Sequence, residues 1–213
     1  MSEKGELKMD KKALYSLTYG VFMLATKYDG RVNGCITNTC MQVANDPTRI
    51  AISCINANYT RELLDKSRLF TLSILDDSCA FQTIKHFGMQ SGRNVDKFEG
   101  ISLPTDVNGI PYLNWQTCAV LSGRVVDAKD LGSHSLYIAE LDDAIVLSDR
   151  APLTYADYQN RLKPRPAQPK AERPIKAWRC TICNYVYEGA VLPADFICPR
   201  CGHPSSDFEP IFE

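Results

Sequence analysis

Four of the chain's nine cysteines stand in the pattern C-x2-C-x14-C-x2-C, at Cys180, Cys183, Cys198 and Cys201. Two residues between cysteines let both thiolates of a pair face one ion from a single tight turn. Two such turns opposed make a tetrahedral S4 cage, which suits zinc or iron. The segment that holds them is short, and a domain below about 40 residues usually needs a staple of this kind to fold. The ion is therefore expected to hold this part together. Spacing alone leaves zinc and iron open.

The other five cysteines (Cys35, Cys40, Cys54, Cys79, Cys118) are scattered over the first 160 residues with no C-x-x-C pair. Together with a charged N-terminus, MSEKGELKMDKK, which has no apolar core and is not read as a secretory signal, this predicts a reducing, cytoplasmic setting. No apolar run approaches the length of a membrane span. The formal net charge of −1 gives no reason to expect nucleic acid or a membrane as partner.

Three regions follow from composition. Residues 1–160 read as a β-rich domain. Strands are predicted over Val21–Thr26, Arg31–Thr39, Arg49–Ile55, Leu69–Leu75, Cys118–Asp127, Ser135–Leu141 and Ala144–Leu147. Asp29-Gly30 is the hairpin turn between the first two. Short helices are expected over Thr60–Lys66 and Ser78–His86. Many short strands with turn signals suggest a barrel. There is no βαβ alternation and no G-x-G-x-x-G, which argues against a Rossmann domain. Residues 161–176 (RLKPRPAQPKAERPIK) carry four prolines and a net charge of +5. They read as a semi-rigid, solvated linker, with docking to an acidic partner as the sharper alternative. Residues 177–213 form the cysteine domain.

Within the first region three clusters are candidate sites: Asn33 to Cys40, Asn56 to Thr60, and the loop Phe87 to Phe98. Taken singly, each has a plain structural explanation, such as a helix cap at Asn58 or Thr60. Together, a helix start, hydroxyls and cations suit a phosphate.

The C-terminal segment WRCTICNYVYEGAVLPADFICPRCGHPSSDFEPI resembles rubredoxin: an aromatic two before the first cysteine, Tyr185 and Tyr187, P-A-D-F-I-C-P-R-C-G, then Ser206-Asp207-Phe208. The resemblance implies one iron ion in the four-cysteine site, inside a shell of Trp178, Tyr185, Tyr187, Phe196 and Phe208. The sequence departs from the family in a shorter loop between the cysteine pairs and in Asn184, which replaces the usual glycine. Asparagine tolerates the left-handed backbone, so the turn is expected to form.

The earlier segments L-T-Y-G, V-N-G-C-I-T-N-T, N-A-N-Y-T, S-G-R-N-V-D-K-F and G-S-H-S-L-Y-I-A-E resemble, in that order, the flavin reductase-like family, an FMN-binding split β-barrel that usually forms a homodimer. The resemblance places Asn38, Thr39 and Cys40 against the isoalloxazine and Asn56, Asn58 and Thr60 at the phosphate. Ser91, Arg93 and Lys97 would lie in a loop closing over the cofactor or dimer partner. His134 would be the catalytic candidate, although Ser133 stands where the family often has aspartate. The remaining cysteines are expected to be small buried hydrophobes.

The whole order is similar to the high-molecular-weight rubredoxins of anaerobic bacteria. That implies NAD(P)H as donor, FMN, an iron ion held by four cysteines, and an external acceptor such as a flavodiiron protein reducing nitric oxide or dioxygen. A nicotinamide gives two electrons at once, a single iron takes one, and flavin converts between them. A linker would raise the local concentration of the second centre. The alternatives are a free-flavin or ferric-chelate reductase with an accessory or zinc-bearing tail, and a binding protein with structural zinc.

Overall fold

A computed structural model describes residues 9–164 and 174–212. The central part of the expected linker, residues 165–173, lies outside the described residues. The described residues fall into two compact units: Tyr19–Lys163, and the described parts of Met1–Thr18 with Pro164–Glu213.

The first unit is one seven-stranded antiparallel sheet: β1 Phe22–Tyr28, β2 Arg31–Thr37, β3 Cys40–Asn45, β4 Thr48–Ile55, β5 Leu69–Leu75, β6 Thr117–Asp130 and β7 His134–Val146. Its strand order is β2-β1-β5-β6-β7-β4-β3. The two outer strands, β2 and β3, are separated in sequence only by Asn38 and Thr39. The sheet must therefore curl until its edges meet. At this junction Thr37 Oγ1, at the end of β2, donates to the carbonyl of Ser53 on β4 (2.9 Å), and the Ser53 N–H donates to the Thr39 carbonyl (3.0 Å), which extends the β3–β4 ladder. This is a split barrel.

Asp29 and Gly30 both have positive φ (49° and 74°), and Tyr28 pairs with Arg31, so the hairpin turn is the one its sequence predicts. The run Val21–Ala25 is buried throughout because β1 is covered on both faces. Phe22 and Leu24 join the barrel interior with Ile50, Ile52, Phe70, Leu72 and Tyr137. Val21, Met23 and Ala25 join a second core with Ile84, Phe87, Ile110 and Leu113. On β5 Leu69 and Leu75 join this second core, and two polar residues stand between them: Thr71 Oγ1 donates to the Pro111 carbonyl, and Ser73 Oγ accepts from the Leu113 N–H.

Helix α1, Tyr59–Ser67, is capped by Asn58, whose Oδ1 accepts the Thr60 N–H, and ends at Arg68 with φ 60°. Helix α2, Phe81–Gly88, starts three residues later than expected. Asp76 Oδ1 takes the Ser78 N–H into a side-chain turn, and Gln116 Oε1 accepts from Ala80 N–H and Thr83 Oγ1. Two further corrections concern strands. Sequence reading gave no strand at β3. The separate strands at 135–141 and 144–147 are one strand, in which Asp142 is looped out opposite the Ser122/Gly123 step. Cys35, Cys54, Cys79 and Cys118 are buried and Cys40 half-buried.

In the second unit β8 (Ile175–Cys180) lies between β10 (Phe208–Phe212) and β9 (Val186–Glu188). Phe196 packs edge-on against Tyr187 (4.7 Å) and Phe208 (5.5 Å), with Trp178 and Tyr185 in the same cluster. Among the described residues no helix is long and apolar enough to cross a membrane.

Candidate functional site

The cysteine cage is made by two matching turns. In the first, the Asn184 N–H donates to the Cys180 carbonyl and the Cys180 N–H to Tyr185. In the second, the Gly202 N–H donates to the Cys198 carbonyl and the Cys198 N–H to His203. Both turns need a left-handed residue after the second cysteine, and both have one: Asn184 at φ 60° and Gly202 at φ 76°. The substitution of asparagine for glycine is thus accommodated as its short polar side chain allows.

All four Sγ atoms lie within 4.8 Å of one another. Cys180 and Cys201 are 3.6 Å apart, and Cys183 and Cys198 3.5 Å. Metal–sulfur bonds of about 2.3 Å at tetrahedral angles require sulfurs about 3.8 Å apart, so the set fits a single ion. Cys180 and Cys198 are fully buried, whereas Cys183 and Cys201 are half-buried and form the exposed edge. The sulfurs are also provided with N–H donors: Ile182 and Cys183 toward Cys180, Tyr185 toward Cys183, and His203 toward Cys201. Donation from Cys201 holds the Cys180 thiol well below its ordinary pKa, which suits a thiolate ligand.

In the barrel, the candidate residues converge on the C-terminal end of β4. Thr39 pairs with Ser53, and His134 lies opposite Ile55. Asn56 Nδ2 donates to Asp130 and to the Gly132 carbonyl, while its Oδ1 accepts from Ser135 Oγ (2.7 Å). The polar line continues through residues to which sequence reading gave no role. Arg61 Nε reaches Ser135 Oγ and pairs with Asp65 (3.1 Å), which accepts from the buried Tyr137 hydroxyl (2.6 Å). Arg61 is a cation in the first turn of α1, and that position was its only signal.

The three sequence clusters meet on the other side of α1. Buried Asn33 donates to Thr60 Oγ1 (2.9 Å). A Cβ on Gly92 would overlap the Asn33 side-chain amide, so only glycine lets the loop approach. Arg93 pairs with Glu62 and lies over the Tyr59 ring (5.0 Å to its centroid). Ser91 Oγ accepts the Arg93 N–H. Lys97 is 3% exposed and donates to the Gly34 (2.8 Å) and Phe87 (2.6 Å) carbonyls, so its ammonium ties the loop to β2 and α2. Burial lowers its pKa.

Asn38 accepts from Thr39 Oγ1 (3.1 Å). Burial pushes the Cys40 thiol up to about 12, which keeps it an uncharged, unreactive side chain at neutral pH. His134 Nδ1 is 2.9 Å from Ser133 Oγ, and burial lowers the ring's pKa from its ordinary 6.5. It is therefore neutral at pH 7 and can exchange hydrogen bonds without adding charge.

A split barrel with this polar rim, on one chain with a tetrathiolate cage, defines a class of redox protein. Residues 14–162 match the flavin reductase like domain family, and residues 178–209 the rubrerythrin, rubredoxin-like domain. The chain belongs to the flavin reductase-like family of oxidoreductases and carries a C-terminal rubredoxin-like domain. It is 35% identical to the high molecular weight rubredoxin of Moorella thermoacetica, over 95% of this chain and 100% of that protein. It is 34% identical to the ferric-chelate reductase (NAD(P)H) of Archaeoglobus fulgidus, over 70% of this chain and 89% of that one. An FMN-binding protein from Thermus thermophilus has the same fold, with a TM-score of 0.60 at 22% identity, over 73% of this chain and 89% of the other.

Proposed function

We propose that the chain, acting in the cytoplasm, passes electrons from NAD(P)H through FMN in the barrel to one iron ion held by Cys180, Cys183, Cys198 and Cys201. An external acceptor, a flavodiiron protein reducing nitric oxide or dioxygen, would take them from there. The observation that carries this reading is the tetrathiolate cage, whose two half-exposed ligands give the ion an edge at which electrons can pass. The similarity to a high molecular weight rubredoxin over nearly the full chain supports it. The similarity to a ferric-chelate reductase (NAD(P)H) supports NAD(P)H as donor.

FMN, when bound, takes two electrons together and releases them singly. The rim at the end of β4 offers hydroxyls, amides and the Arg61 guanidinium, a donor set suited to a polar ring with an anionic tail. In this reading Asn38, Thr39 and Cys40 face the ring, with Cys40 adding no charge. Asn56, Asn58 and Thr60, at the α1 N-terminus, hold the phosphate. Ser91, Arg93 and Lys97 fix the covering loop, Lys97 by anchoring it to β2. Neutral His134 orients the nicotinamide donor. A homodimer completes the reading, supported by Met41 and Val43, which are exposed on edge strand β3.

The test is anaerobic NADH titration of the iron-loaded full chain, followed by visible absorption. Flavin and ferric-thiolate bands that fade together uphold the relay, and flavin bands that fade alone break it. The similarity to a ferric-chelate reductase favours a second reading, in which the barrel reduces ferric chelates or free flavin itself. That reading expects Cys198→Ser in the full chain to leave ferric-chelate turnover unchanged.

A further inference from the structure

The second cysteine turn contains a peptide group, between Gly202 and His203, that is engaged at both ends. Its N–H, from His203, donates to Cys201 Sγ. Its carbonyl, from Gly202, accepts from the Tyr15 hydroxyl at 3.3 Å. Tyr15 belongs to the 3-10 turn Lys11–Ser16, which lies in the same compact unit as the cage although 187 residues away in sequence. Asp10 fixes the start of that turn by accepting the Lys12 N–H (2.9 Å), and the Leu17 N–H closes it onto the Leu14 carbonyl.

The first cysteine turn is served differently. Its N–H to sulfur comes from Tyr185, toward Cys183. Its side-chain donor is Arg200, whose Nη1 reaches the Cys183 carbonyl at 3.1 Å. The N–H of that peptide group belongs to Asn184 and goes to the Cys180 carbonyl, not to sulfur. Arg200 therefore does not act through a sulfur-bound peptide, whereas Tyr15 does.

Donation to a carbonyl polarises its peptide group and makes the N–H at the other end a stronger donor. The sulfur at the end of this chain is a half-exposed ligand. A tetrathiolate centre carries one more negative charge with ferrous than with ferric iron, so a stronger N–H donor to sulfur favours the reduced form. A phenol keeps its proton at neutral pH, so Tyr15 remains a donor there.

We propose that Tyr15 is a positioning residue of the metal centre: through the Gly202–His203 peptide it strengthens the N–H bond to Cys201 and favours the reduced ion. Reduction adds one electron to ferric iron and breaks no bond. The effect on iron rests on the function proposed above, while the hydrogen-bond chain holds for any ion in the cage.

Tyr15→Phe removes the hydroxyl and keeps the ring. The first readout is the amide proton spectrum of the zinc-loaded full chain. The His203 amide proton is expected to move upfield, with the Tyr185 amide, its counterpart in the other turn, unmoved. An unmoved His203 amide, or equal movement of both, overturns the proposal. The second readout is redox equilibration of the iron-loaded chain with a dye. The ratio of reduced to oxidised iron at a fixed potential is expected to fall about two- to four-fold in the variant. An unchanged or higher ratio overturns the effect on the ion. Failure of the iron reading itself shows separately, as an absence of ferric-thiolate bands in the unmutated chain.

Discussion

In the barrel unit Met23, Leu24, Ile52, Phe70 and Leu72 are completely withdrawn from water, within two large apolar clusters. In the cysteine unit the fully buried cluster is Cys180, Cys198 and Phe208, ringed by half-buried aromatics. Two of those three are cysteines of the four-cysteine cage. The barrel has enough apolar surface to fold by burial. With an ion in the cage as proposed, the cysteine unit is expected to draw its stability from ligation, because its thiols are its core. With that ion in place, one chain is expected to contain a part whose fold is independent of metal and a part whose fold is conditional on it.

The largest expected effect breaks this comparison or confirms it. Chelation of the ion from the full chain should remove about 10–16 kcal/mol from the cysteine unit and unfold it, leaving the barrel folded. The two tryptophans report separately, Trp178 in the cysteine unit and Trp115 in the barrel. Fluorescence of a Trp115→Phe variant should shift red on chelation, and that of a Trp178→Phe variant should not. Loss of both signals would show that the barrel also depends on the metal.

A smaller effect comes from the opposite side. Phe70→Ala empties the barrel interior and should cost about 3–5 kcal/mol in barrel stability, read by denaturant melting, with metal content unchanged. The smallest is set by pH. Burial lowers the His134 pKa below 6.5, so the unfolded chain binds a proton that the folded barrel resists. Barrel stability is therefore full above pH 6.5 and declines as pH falls below it. His134→Gln should flatten this part of the melting-versus-pH curve, and an unchanged slope would show that the ring is not buried as described.

The cage was legible because its information is local. Two residues between cysteines fix a turn, and the left-handed residue after each pair can be read at Asn184 and Gly202. The β1–β2 hairpin was legible for the same reason, through Asp29-Gly30. Strand β3 was not, because Cys40–Asn45 is an edge strand whose Met41, Gln42 and Val43 all face solvent, so no alternation marks it. The polar line on the barrel was legible only in part. Asn56, Asn58 and Thr60 stand together in sequence, but Ser135, which Asn56 accepts from, is 79 residues away. Lys97 announced a cation, yet nothing in S-G-R-N-V-D-K-F tells that its ammonium ends on the carbonyls of Gly34 and Phe87. Arg61 carries no such signal, because an arginine in a helical run usually faces water.

The curled sheet sets an order of events for the chain as it is made. The β3–β4 hairpin can form early, but the other side of β4 must wait for β7, with Ile55 opposite His134 and Arg49 opposite Glu140. Until then Ile50 and Ile52 sit on an unpaired border, a surface that invites wrong partners. The cysteine stretch has no such delay, since Cys180 and Cys201 are 21 residues apart. Barrel closure is therefore expected to be the slower step of maturation, and ion capture the faster one.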